Sequence, residues 1–329
     1  MSFPEGVVFL SESDVKESIT VAEAVELAEA GIRADGDGKV AGDKFYMNVG
    51  DRGFIKPFSG YKAGEALAFV KTFSYFPGNP ERFGRPTTSS VVLLFDAETG
   101  LPVCLMEAGW ATALKTGAST TVTASYLARE DSATVTIFGA GQLGRMHLRA
   151  LVHRFNLVQV YVVDIVPHAA ERYAEELGSE LGLPIEPVPL GERERVVRVS
   201  DVLLTVTTGD QPLVERAWLA PGTFVARLGS YQEIDLDVIT EADKVVVDNW
   251  HYVRPRIPEL GKLAELGQFG PDDLHAEWPD IIAGRRPGRE SHEEVIVYIA
   301  LGIWGEYAAL LPAIYRRARA LGLGQALAA

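Results

Sequence analysis

Apolar positions along the first third of the chain change period twice. Val21, Ala24, Val25, Ala28 and Ile32 recur at helical spacing, and Thr20 with Glu23 three residues on forms a capping box ahead of them. Asp35-Gly36-Asp37-Gly38 closes that helix. From residue 44 to 106, short β-branched and aromatic runs are separated by glycine, proline and asparagine. They predict strands at 44–49, 66–76, 90–96 and 102–106, paired as a mostly antiparallel sheet. A helix at 110–128 follows, rich in small residues (Gly117, Ala118, Ser119, Thr120, Thr121), a surface that lets another backbone or a ligand approach closely.

From Ala133 the texture becomes alternating strand and helix, the pattern of a parallel α/β sheet. Strands are predicted at 134–138, 159–163, 202–206, 223–227 and 244–248, with helices at 143–155, 168–181 and 192–200. Glu290-Ser291-His292-Glu293-Glu294 reads as a loop leading into a helix, and the segment 293–321 reads as helical and apolar on one face. The expected fold class is α/β: a Rossmann-type doubly wound parallel sheet plus a second α+β domain with a mostly antiparallel sheet. The expected domains are 1–130, to which the C-terminal helix at about 305–329 returns, and 131–304.

Composition narrows the partners. The 329 residues are 47% hydrophobic and 23% charged, enough for two cores, and the formal net charge of -14 disfavours nucleic acid and anionic membrane surfaces. The apolar runs are too short to span a bilayer. Cys104, the single cysteine, has no internal disulfide partner, which fits a reducing cytoplasm. The six histidines are scattered without metal-ligand spacing, so no metal site is expected.

The clearest chemistry lies in Val135-Thr136-Ile137-Phe138-Gly139-Ala140-Gly141-Gln142-Leu143-Gly144, a buried strand running through Gly-x-Gly-x-x-Gly into a helix. Gly139 allows the tight turn, Gly141 lets a pyrophosphate approach, and Gly144 lets the helix pack on the strand. The free amides at the helix start favour an anion, and Ala140, Gln142 and Leu143 are assigned to the cofactor with Gly139 and Gly141. Asp164 ends the second strand, where a carboxylate meets the adenosine ribose hydroxyls. No arginine follows it in Ile165-Val166-Pro167-His168, so NAD is favoured over NADP. Thr207, at the end of a later strand, either lines the cofactor crevice or belongs to an ordinary polar loop.

Strand alternation puts Lys71 on one face with Leu67, Phe69, Phe73 and Tyr75, where it is desolvated, paired, or snorkelling from an edge strand. A desolvated amine has a lowered pKa suited to proton transfer with an imine or carbonyl compound, while an anionic substrate would hold it charged. Lys115 sits among the small residues of its helix, either reaching a ligand or solvated.

Taken together, Lys71 with Phe76-Pro77-Gly78-Asn79, Ala111-Thr112-Ala113-Leu114-Lys115-Thr116-Gly117-Ala118, the glycine motif, Leu228-Gly229-Ser230 with Glu233 and Asp235, and Ala283-Gly284-Arg285 resemble the ornithine cyclodeaminase and mu-crystallin family. The resemblance implies a homodimeric NAD(P) oxidoreductase acting on the C–N bond of an amino acid or cyclic imino acid, dimerised through the non-Rossmann domain. Two alternatives remain: a cyclodeaminase that keeps NAD bound and releases ammonia, and a non-catalytic crystallin-like ligand-binding protein. It implies that Lys71 is the active-site lysine and that Thr116 lies by the cofactor phosphates. Lys44 and Lys115 stand where the family commonly has arginines, and lysine lacks the planar two-pronged grip on a carboxylate. They are read as binding the substrate anion, with Arg52, Arg82 or Arg85 as alternatives. Ser230 is assigned to the substrate and cofactor; it replaces an aspartate of the cyclodeaminases, which favours redox chemistry over ring closure.

Overall fold

A computed structural model of the protein describes residues 6–229 and 231–327. The chain divides into two compact units, 1–115 with 304–329, and 116–303. The division falls inside the helix Gly109–Leu127, whereas the sequence expectation places it at 130.

The first unit is built on a sheet of β1 (Val7–Leu10), β2 (Val40–Lys44), β3 (Met47–Asn48), β4 (Phe54–Lys62), β5 (Leu67–Tyr75), β6 (Thr88–Asp96) and β7 (Pro102–Glu107), with a C-terminal strand Gln325–Leu327. The order is C-terminal strand, β1, β7, β6, β5, β4, β2, and every pairing is antiparallel except β1 with β7. The expected strand at 44–49 is corrected: Lys44 closes β2, and β3 is a two-residue strand on β4. Val40-Ala41-Gly42-Asp43 carries too little β-branched or aromatic character to announce a strand, and only pairing with β4 makes it one.

One face of this sheet is covered. Gly42 and Gly60 leave room for the Trp304 side chain, since a Cβ on Gly42 would lie 2.4 Å from the Trp304 ring and one on Gly60 3.1 Å from Trp304 Cβ. Trp304 Nε1 donates to Asp35 Oδ1 at 3.0 Å, at the end of the helix Val21–Gly36. That helix starts with the expected capping box: Thr20 Oγ1 accepts from the Glu23 amide, and the Thr20 amide donates to Glu23 Oε2.

The second unit holds β8 (Thr134–Phe138), β9 (Gln159–Val163), β10 (Ile185–Val188), β11 (Val202–Thr205), β12 (Phe224–Arg227), β13 (Lys244–Val247), β14 (Ala276–Glu277) and β15 (Ile296–Ile299). All pairings are parallel, in the order β10, β9, β8, β11, β12, β15, β13, β14. The order reverses at β8 and β11, the switch point of a doubly wound sheet. Its central strands, β8, β11, β12, β13 and β15, are buried on both faces, as covered parallel sheets require.

The helical expectation for 293–321 is corrected here. Ile296–Ile299 is a strand between β12 and β13, and helix resumes only at Gly305–Ala308 and Leu310–Ala320. Glu290 to Glu294 therefore leads into a strand. A short continuous apolar run fits a fully buried strand as well as a buried helix, and only the vacancy between β12 and β13 decides. Among the described residues, no helix is long and apolar enough to cross a membrane, and no group of His, Cys, Asp or Glu is arranged to hold a metal.

Candidate active site

Two constellations carry chemistry, one in each unit. In the first, β5 lies between β4 and β6, so Lys71 is on an interior strand, which removes the edge-strand reading. Register places Lys44, Phe58, Lys71 and Val92 side by side across β2, β4, β5 and β6, all on the covered face and all buried. Lys71 is 3% exposed. Its Nζ stands 5.2 Å from the Phe73 ring centroid and 5.3 Å from that of Tyr307. No carboxylate pairs with it among the described residues.

Burial, and then the charges of Lys56 and Lys115, push the Lys71 amine well below the ordinary lysine range. Aromatic faces offset part of the desolvation through their quadrupoles.

Lys115 comes from the helix Gly109–Leu127 and is itself buried, donating to Glu306 Oε2 at 2.6 Å. Its Nζ lies 5.0 Å from the Tyr307 centroid, so Lys71 and Lys115 meet at one ring. Tyr307 packs edge-on to Phe58, and burial raises its hydroxyl pKa. Lys44 lies over the Phe58 ring at 5.8 Å. Arg52, Arg82 and Arg85 are exposed, and Arg82 stacks on Phe83.

Lys56, Tyr307 and Glu306 were absent from the candidate residues. Lys56 stands on β4 as the register partner of Phe73, and its Nζ is 5.2 Å from that ring. The alternation Phe54-Ile55-Lys56-Pro57-Phe58 was the available signal for a strand, masked by its proline. Nothing local marks Tyr307 or Glu306, which reach Lys71 and Lys115 from the other end of the chain.

In the second unit, β8 runs into Gly139 at φ +109°, a left-handed conformation that glycine adopts without strain. A Cβ at Gly144 would lie 2.0 Å from the Gly139 carbonyl oxygen, so the helix Gln142–Leu151 approaches the turn only because Gly144 has none. Gly141 is the N-cap, without a side-chain cap, and a Cβ there would meet nothing within 4 Å. The amides of the first helical turn therefore open onto a cradle that a phosphate can enter.

Asp164 follows β9, and its carboxylate accepts from the Ala140 amide at 2.8 Å and the Val166 amide at 2.9 Å. Ile165 and Val166 are exposed, so the groups beside that carboxylate are apolar. Across the switch point, a Cβ on Gly139 would sit 2.9 Å from the Val206 carbonyl oxygen, which brings the ends of β8 and β11 together. Thr207 donates to the buried Glu233, whose other oxygen accepts from Thr205 and from the Gly229 amide. The Arg227–Glu259 ion pair is fully buried beneath, with Glu259 accepting from the Glu233 amide.

Thr116 is half-buried on its helix, one residue before Gly117. A Cβ on Gly117 would lie 2.8 Å from the Met146 carbonyl oxygen, so the small-residue surface serves close packing against the helix Gln142–Leu151. His147 joins the same contact, with Nδ1 2.7 Å from the Leu143 carbonyl and Nε2 3.1 Å from Thr120 Oγ1. The carbonyl can only accept, so Nδ1 carries the hydrogen and Thr120 donates to Nε2. Ser230 lies outside the described residues.

The sequence profile of the ornithine cyclodeaminase/mu-crystallin family matches residues 6–321. The alanine dehydrogenase of Archaeoglobus fulgidus is 29% identical over 322 residues, 96% of this chain and 97% of the relative. The structure of Thermococcus litoralis Delta(1)-pyrroline-2-carboxylate reductase in complex with NADH and L-proline superposes with a TM-score of 0.93 at 30% identity, covering 98% of this chain and 100% of that one. An archaeal alanine dehydrogenase dimer with bound NAD gives 0.90 at 28% identity, covering 98% of each chain. With the profile matched over nearly its whole length and these relatives covered end to end, the chain belongs to the ornithine cyclodeaminase/mu-crystallin family.

Proposed function

We propose that this protein is an NAD-dependent oxidoreductase acting on the C–N bond of an amino acid or cyclic imino acid. The observation that carries the reading is Lys71, an interior-strand lysine buried among aromatic rings with no carboxylate partner among the described residues. Relatives named as alanine dehydrogenase and pyrroline-2-carboxylate reductase support it.

The cofactor site fits NAD. The open cradle at Gly141, with the amides of Gln142 and Leu143, takes the pyrophosphate, and Asp164, held by two amides, takes the ribose hydroxyls. A 2'-phosphate would meet that carboxylate with only Ile165 and Val166 beside it. Ala140 and Gly139 shape the turn; Thr116 and Thr207 face the dinucleotide. When bound, the cofactor would supply the redox chemistry, the oxidised form as hydride acceptor and the reduced form as hydride donor, at the carbon that carries nitrogen.

Lys71 handles the proton. With its pKa lowered by burial, its amine takes a proton from the substrate ammonium, which frees the nitrogen lone pair that assists hydride departure. In the reductive direction it returns that proton. Lys44 and the Lys115–Glu306 pair hold the substrate carboxylate nearby. The aromatic rings of Phe58, Phe73 and Tyr307 exclude water and so help to lower the pKa of the Lys71 amine.

Two copies pair through the uncovered face of the first unit's sheet, where Val70 and Val91 are exposed. The dimeric alanine dehydrogenase relative supports this. Purified protein is mixed with NAD and amino acids, or NADH and cyclic imines, and absorbance at the NADH band is followed. Turnover with at least one class supports the reading, and calorimetry showing no affinity for NAD or NADH refutes it.

A further inference from the structure

Glu233 is a fully buried carboxylate that the proton transfer leaves unused. We infer that Glu233 is a positioning residue for the nicotinamide half of the dinucleotide: its carboxylate joins the segments that follow β11 and β12 and so fixes the surface on which that half rests. The inference rests on the proposed oxidoreductase reading and deepens it.

The hold is made at four points. Glu233 Oε1 accepts from the Thr207 amide at 2.6 Å and from the Thr207 hydroxyl at 2.8 Å. Oε2 accepts from the Thr205 hydroxyl at 2.8 Å and from the Gly229 amide at 2.7 Å. One oxygen thus holds the segment after β11, and the other reaches the segment after β12. The main chain of Glu233 is fixed in turn, since its amide donates to Glu259 Oε1 at 2.9 Å. Arg227 pairs with Glu259 and donates to the carbonyls of Gly229 and Tyr231, so the second segment is gripped at an amide and at two carbonyls. The close approach needs a residue without a side chain: a Cβ on Gly229 would lie 2.4 Å from Glu233 Cδ.

Two arguments assign this network to the cofactor and not to the fold alone. Farther along the same segments Val214 bridges Ile234, with the Leu213 amide donating to the Glu233 carbonyl and the Asp235 amide to the Val214 carbonyl. The fold therefore has a tie made by neutral groups, and a buried carboxylate is a less stabilising way to add another. The second argument is place. A dinucleotide straddles the point where strand order reverses, here between β8 and β11. With the adenosine half at Asp164 after β9, the other half falls beyond the carboxyl ends of β11 and β12, where the two held segments begin. A carboxamide cannot replace the carboxylate there. Each oxygen receives an amide hydrogen, and while hydroxyls can turn to accept, backbone amides only donate.

The test measures affinity for NADH and for ADP, which carries the adenosine end without nicotinamide, by calorimetry on the wild type, Glu233→Gln, Gly229→Ala and Val196→Ala. Glu233→Gln is expected to weaken NADH by about tenfold or more, because one backbone amide loses its acceptor, and to leave ADP within about twofold. Gly229→Ala displaces the same carboxylate from the loop side and is expected to give the same split. Val196→Ala opens a cavity in the core of the same unit, which lowers Tm and leaves both affinities in place. Equal losses for both ligands, unchanged NADH affinity, a wild type that does not bind ADP, or the same split in Val196→Ala overturns the inference. Failure of both Glu233→Gln and Gly229→Ala to fold also overturns it, because the network is then structural. A wild type that does not bind NADH overturns the oxidoreductase reading itself, whereas NADH binding without the split overturns this inference and leaves that reading standing.

Discussion

Replacing Lys71 with methionine tests the energetic state on which the proposed chemistry depends. The side chain is 3% exposed, lies between the Phe73 and Tyr307 rings, and has its amine pushed down by burial and by Lys56 and Lys115. Methionine keeps the length and removes the polar tip. Burying an ionisable group without a partner costs free energy, so replacing it by an apolar group of similar volume is expected to stabilise by on the order of 1–4 kcal/mol, the range found when buried ion pairs are replaced. In a chain of this size that amounts to a rise in Tm of a few degrees. The gain depends on pH with a definite sign. In the unfolded chain the lysine titrates in its ordinary range, and in the folded protein below it, so between the two values the unfolded state binds more protons. Wild-type stability from this group therefore rises with pH over that interval. The advantage of Lys71→Met is accordingly largest at the acid end and shrinks toward the ordinary lysine range. Thermal unfolding of both ligand-free proteins across pH 6 to 9.5 reads this directly, and steady-state NADH formation reads the second effect, a loss of about 10²- to 10⁴-fold in kcat/KM with NADH binding retained. A variant less stable than wild type at every pH, or one with full turnover, would refute the reasoning.

Three further outcomes follow from the geometry. Gly144→Ala puts a Cβ 2.0 Å from the Gly139 carbonyl oxygen, so NADH affinity measured by fluorescence is expected to fall at least tenfold, with a lowered Tm; unchanged binding would mean that the turn is not the dinucleotide cradle. Asp164→Ser with Ile165→Arg exchanges a carboxylate for a cation beside the expected 2'-position and should move the kcat/KM ratio toward NADP by on the order of tenfold or more; an unmoved ratio would place the ribose elsewhere. Glu306→Gln strands the buried Lys115 ammonium and should cost about 3–5 kcal/mol in urea unfolding, most of it recovered by adding Lys115→Met; equal stability of Glu306→Gln and wild type would show that the pair is solvated.

Much of the second unit was legible from local order because its chemistry is local. The turn after Phe138 needs residues without side chains at positions separated by one and two residues, and the carboxylate at the end of β9 follows at a fixed spacing, so Gly139, Gly141, Gly144 and Asp164 were all readable in one dimension. Alternation along β5 likewise put Lys71 on the same face as Leu67 and Phe69, and a capping box announced the helix at Val21. Period and turn chemistry are short-range constraints, and a sequence displays them whole.

Long-range juxtaposition was a different matter. Burial of Lys71 on an interior strand follows from two neighbouring strands, one of which, β4, was not foreseen. The meeting of Lys71 and Lys115 at Tyr307, the neutralisation of Lys115 by Glu306, and the space that Gly42 and Gly60 leave for Trp304 all join residues far apart in the chain. Ile296–Ile299 shows the same limit in secondary structure, since an apolar run of that length serves a strand or a helix equally until a gap in a sheet accepts it. The sequence alone determined which backbone could bend around a phosphate and which strand face was apolar, because both depend on neighbours a few residues away. Only the tertiary structure decided which charges share a site and how deeply they are desolvated, because those energies depend on distances that chain separation does not constrain.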